Sequence, residues 1–84
     1  MDFTYNLSLK QMRFIYVILG KISVSTGDNI EDLKERFKTL FCQENNLEHF
    51  SCSPYEPNAI TQENASLFID FLLRQAEELG VVVW

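Results

Sequence analysis

The sequence predicts a mainly α-helical fold, a small three-helix domain spanning residues 1–84. Three observations carry that expectation. Ser8, Asn29 and Thr61 are each a helix-start residue followed by an apolar pattern of helical period. Stop signals and a loop rich in Asn, Ser and Pro separate those patterns. The chain, 46% hydrophobic and 23% charged, is long enough for one core and too short for two. A minor pair of short strands, drawn from the termini or from the 45–60 loop, is the only β element with room to form.

The first helix is expected over about 9–25. In Ser8-Leu9-Lys10-Gln11 the hydroxyl can accept from the amide three residues on while the Gln11 side chain reaches back, a capping box. Gly27 ends it. Asp28 and Asn29 then open a second helix over about 30–45, with Glu31 and Asp32 placed to complement the helix dipole. Residues 45–60, holding Pro54 and Pro57, read as a loop with a short extended piece near 48–53. Thr61 caps a third helix over about 62–79, and Gly80 suits a left-handed terminus. Phe3, Tyr5 and Leu7 alternate with polar residues, and Val81, Val82, Val83 and Trp84 are β-prone, so each end is a candidate short strand.

The faces of these helices divide unequally. At roughly 100° per residue, Ile30, Leu33, Phe37, Leu40 and Phe41 form a narrow core stripe on the second helix. On the third, Ala65, Phe68, Ile69, Leu72, Ala76 and Leu79 form the expected core face, with Leu67 and Phe71 an i, i+4 pair on another side. The first helix is apolar over more than half its circumference, through Leu9, Met12, Phe14, Ile15, Tyr16, Ile18, Leu19 and Ile22. Two readings of the excess stand side by side. Either Leu67, Phe71 and the terminal Val81, Val83 and Trp84 supply a homodimer or partner surface, or loop residues such as Phe50 and Tyr55 fold back over the helices.

Charge is asymmetric as well. Seven Lys and Arg against twelve Asp and Glu give a net charge of −5, the wrong sign for a dedicated nucleic-acid binder. Residues 8–27, however, carry Lys10, Arg13 and Lys21 and no acid. Those three cations fall within roughly 80° of one another on the first helix, with Val17 among them. A stripe of this kind is either a solvated face that pairs with the acidic second and third helices, or a track for phosphates with Phe14 or Tyr16 beside it as a stacking surface for a base.

Catalytic and metal chemistry find little to work with. His49 is the sole histidine, and Cys42, His49 and Cys52 lack the paired spacing and the fourth ligand of a zinc site. The three glycines are isolated, so there is no phosphate-cradling loop, and the adjacent Glu77 and Glu78 diverge on a helix. The expectation is a non-enzymatic binding module without metal, cofactor or small-molecule substrate. Two cysteines without a disulfide framework, no long apolar stretch and no basic segment before a signal-like run at Met1 point to a soluble cytoplasmic protein with no membrane association.

The segments Ser8-Leu9-Lys10-Gln11, Leu40-Phe41-Cys42-Gln43-Glu44-Asn45, Phe50-Ser51-Cys52-Ser53 and Phe68-Ile69-Asp70-Phe71-Leu72, in that order, resemble a module of phage recombination proteins. The likeness covers nearly the whole chain. It is to the helical domain preceding the nuclease motif in the "putative HNHc nuclease" proteins of phages of low-GC Gram-positive bacteria. More distantly the chain is similar to the NinB (Orf) recombination mediators, through Ser8 to Gln11 and through Gly80, Val81 and Trp84. The resemblance implies a role in phage DNA recombination or replication: binding single-stranded DNA, or the single-strand-binding protein that coats it, and helping to load a recombinase, often as a homodimer. An HNH motif needs several histidines, so nuclease activity does not carry over. On this expectation Lys10, Arg13, Phe14, Tyr16 and Lys21 meet the nucleic acid. The rival expectation is a small acidic phage protein that binds and redirects a host protein, presenting Glu31, Asp32, Glu35, Asp70, Glu77 and Glu78.

Overall fold

The computed structural model describes residues 5–83, and within them the chain forms three helices: α1 (Leu9–Thr26), α2 (Ile30–Asn45) and α3 (Gln62–Glu78). The expected capping box is present. Gln11 N donates to Ser8 Oγ at 3.1 Å, and Ser8 N donates to Gln11 Oε1 at 2.8 Å. Asn29 accepts from Glu31 N at 2.8 Å, and Thr61 accepts from Asn64 N at 3.2 Å. Each cap satisfies an amide that the first helical turn leaves without a backbone partner. At the other ends the chain turns through left-handed residues, Gly27 (φ 82), Asn46 (φ 54) and Gly80 (φ 72). After α3, Val81 N reaches back to Ala76 O at 2.8 Å and Gly80 N to Glu77 O at 3.0 Å, the paired bonds of a Schellman ending.

The strand pair reduces to two isolated bridges, Asn6 with Thr61 and Ser51 with Ala59. Residues 5–7 run antiparallel to the residues that lead into α3, through Leu7 N to Ile60 O at 2.8 Å and Gln62 N to Tyr5 O at 2.9 Å. The β-prone residues 81–83 form no strand, and Phe3 and Trp84 lie outside the described residues. Asn6 Nδ2 donates to Pro54 O at 2.8 Å, tying the start of the chain to the long loop.

One core joins the three helices and that loop. Phe41 sits within 5.1 Å of Phe68, 5.6 Å of Phe71 and 6.1 Å of Phe50, centroid to centroid, while Phe37 meets Phe71 edge-on at 6.3 Å. Ile15, Ile18, Leu19 and Ile22 of α1 are fully buried against it. Phe50 folds back into the core as one of the two readings required, but Tyr55 stays exposed. Phe71 corrects the expected partner surface. It is 2% exposed, because α3 packs on α2 through Phe37 and Phe41 as well as on α1, so its buried arc is wider than a single-neighbour stripe. Leu40 and Leu79, expected in the core, are instead exposed at its margin. Among the described residues, no helix is long and apolar enough to cross a membrane.

Candidate nucleic-acid interface

α1 is wedged against both other helices, which leaves one outer arc to solvent. Its N-terminal turn is fixed to α3 by Gln11 Nε2, which donates to Gln62 O at 3.0 Å and Ser66 Oγ at 3.2 Å. Tyr16 and Lys34 link its other flank to α2. The remaining arc carries Lys10, Arg13, Val17, Lys21 and Val24, all exposed. Val24 is 88% exposed and Val17 48%. Lys10 and Lys21, eleven residues apart, stand about 16 Å apart along the axis, with Arg13 one turn from Lys10.

The ion pairs among the described residues are Lys34 with Glu31 at 2.7 Å, Arg36 with Asp28 at 3.8 Å and Lys38 with Glu35 at 3.4 Å. All three cations belong to α2. Lys10, Arg13 and Lys21 form no ion pair with a described acid, so this solvated face makes no contact-distance pairing with α2 or α3. The cations are therefore free to meet an external anion.

The two aromatic candidates fare differently from the cations. Tyr16 is turned toward α2, where its hydroxyl accepts from Lys34 Nζ at 3.1 Å and the same ammonium lies 5.4 Å from the ring centroid. The ring is partly buried, and its hydroxyl is engaged by Lys34. Phe14 is half-buried and packed against the core cluster beside the basic arc.

The expected partner residues are dispersed. Leu67 is 49% exposed on α3, whereas Phe71 is inside and Trp84 lies outside the described residues. Val81 and Val83 are half-buried and line, with Leu73, Glu77 and Val82, a shallow groove of about 270 Å³. A feature missed in the sequence is the line Glu63, Asp70 and Glu77, exposed on α3 at seven-residue spacing. Its signal was the i, i+7, i+14 repeat, obscured because Glu63 belongs to the capping turn.

The thiols are not arranged for nucleophilic chemistry. Burial pushes Cys52 above its ordinary value, only partly opposed by the Lys38 and Lys34 ammonium groups. Cys42, which lines a cleft with His49, is raised by the same cause against Lys38, and its Sγ donates to Glu48 O at 3.4 Å. Both stay protonated near neutrality. Among the described residues, no group of three or more His, Cys, Asp or Glu is placed to hold a metal ion.

No protein-family model matches the chain, and neither a curated protein nor a solved structure matches it.

Proposed function

We propose that this protein is a non-catalytic accessory of phage DNA recombination or replication, working in the host cytoplasm. It binds the backbone of single-stranded DNA, directly or beside a single-strand-binding protein, through the outer arc of α1. The observation that supports this reading is the freedom of Lys10, Arg13 and Lys21, three exposed cations on one arc while the cation of every ion pair among the described residues belongs to α2. α1 is capped at its start and buried along its inner face, so the arc is presented by a rigid element. Three phosphate contacts make binding weak and salt-sensitive, as suits a protein that hands DNA on to another. Fluorescence anisotropy of a labelled strand of about 30 nucleotides, at low and near-physiological salt, tests the reading. Binding that weakens steeply with salt supports it. Absence of binding at low salt overturns it and turns attention to a host-protein adaptor.

A further inference from the structure

The outer faces of α1 and α3 are electrostatic opposites that lie next to each other. On α1 the exposed arc holds Lys10, Arg13 and Lys21 with Val17 and Val24 between them. On α3 the exposed Glu63, Asp70 and Glu77 fall within about 40° of one another, each step roughly 10 Å along the axis. Leu67 borders that acidic line, and exposed Arg74, the one cation of α3, stands within it one turn from Asp70 and from Glu77, which leaves the line a net charge of −2. None of the three acids is ion-paired among the described residues. The two helices begin side by side, with Gln11 bonded to Gln62 and Ser66.

We infer that a second copy of this chain covers this face, each protomer laying its basic α1 arc on the acidic α3 line of the other in a two-fold pair. Isologous symmetry makes the contact twice, since whatever α1 touches on its partner, the partner's α1 touches here. A two-fold axis running along the helices sets α1 on the partner's α3 in the same direction, because α1 and α3 begin side by side within each protomer. The basic span of about 16 Å then falls within the acidic span of about 21 Å, a mismatch that long side chains absorb. Val17 and Leu67, each about half exposed, give the contact an apolar centre between the charges. Two adjacent helix faces, about 27 Å long and together about 20 Å wide, make a footprint of roughly 500 Å² per protomer. A standard stable interface takes about 800 Å² per partner, so the pair is weak and exchanges. Resting on the reading of α1 as the DNA-contacting face, the consequence is regulatory: DNA and the second copy compete for Lys10, Arg13 and Lys21, and the free protein shields its own basic arc.

Sedimentation equilibrium of the full chain tests the pair without any DNA. The wild type is expected to dimerise at about 25 mM salt and to weaken at least tenfold by about 300 mM, because the contacts are ionic and screened. Two variants reverse one stripe each, K10E/R13E/K21E and E63K/D70K/E77K, at six exposed positions where circular dichroism checks that the helices persist. Each is expected to be monomeric alone, and the two mixed in equal amounts are expected to form a heterodimer. A monomeric wild type at low salt, a dimer indifferent to salt, or reversed variants that fail to pair would overturn the inference. A monomer that still binds the labelled strand loses the pair and keeps the proposed function. A dimer that binds no DNA does the opposite.

Discussion

Tyr16 of α1 and Lys34 of α2 hold each other: the Lys34 ammonium donates to the Tyr16 hydroxyl at 3.1 Å and lies 5.4 Å from the centre of its ring. Glu31, at 2.7 Å from the same Nζ, completes the set. The arrangement fixes one flank of α1 against α2 and engages the Tyr16 hydroxyl. Tyr16→Phe keeps the ring and removes the hydrogen bond, which costs about 1 kcal/mol of stability. Urea unfolding should show that loss, while affinity for a labelled single strand stays at the wild-type value. A variant with weakened DNA binding and unchanged stability would return Tyr16 to the interface.

The same cluster has a defined pH signature. Burial opposes the charge on Lys34, but the hydrogen bonds to Glu31 and Tyr16 outweigh it and hold the ammonium above its ordinary value of 10.5. A folded-state value above the unfolded one stabilises fully at pH below the unfolded value, and the contribution is lost as pH rises through the folded value. The stability difference between wild type and Lys34→Met should therefore be constant from about pH 7 to about pH 9 and begin to close only in more alkaline solution. Denaturant titrations across that range check it. A difference that closes between neutral pH and about pH 9 contradicts the assignment.

Gly20 and Gly27 are predicted to respond in opposite directions to the same substitution. Gly20 lies inside α1 with nothing beyond its own helical turn within 4 Å of where a Cβ would stand, so Gly20→Ala should stabilise by about 0.5–1 kcal/mol. Gly27 has equal space but φ +82, so Gly27→Ala should destabilise by about 1 kcal/mol. In a domain of this size each is a shift of several degrees in Tm, upward for the first and downward for the second, read by thermal unfolding.

Phe50 anchors the long loop by packing against Phe41 at 6.1 Å and Phe68 at 5.3 Å. The Lys38 ammonium lies 5.5 Å from its ring centroid. Phe50→Ala should cost about 3–5 kcal/mol, a large part of what a small domain has. Limited proteolysis should then cut first within residues 51–59, before any cut in α1 or α3.

Much of this architecture is legible in the sequence because helix ends are local chemistry. Ser8 with Gln11, Asn29, Thr61, Gly27 and Gly80 each act within a few residues of themselves, and the helices start and stop where those residues stand. What escaped depends on distant neighbours. Phe71 looked like a second face because a wheel assumes one packing partner, whereas α3 is covered by α1 and α2 from different sides. Tyr16 looked free because nothing near it in the chain announces Lys34, eighteen residues away. Lys38 is buried at 5% exposure, a state its charge argues against, and is made tolerable by Glu35 and the face of Phe50. The basic arc needed only helical spacing to be seen, but its freedom from ion pairs required the fold.

In the proposed function Lys10, Arg13 and Lys21 meet phosphates, and the salt dependence of binding tests this most directly. For single strands log K falls with log salt at about 0.7 per phosphate neutralised, so three contacts give a slope of about −2. The triple variant Lys10→Ala, Arg13→Ala, Lys21→Ala alters only exposed side chains and should unfold at the wild-type denaturant midpoint. Its slope should flatten toward zero. A folded triple variant that keeps the wild-type slope would show that the DNA contacts lie elsewhere on the molecule.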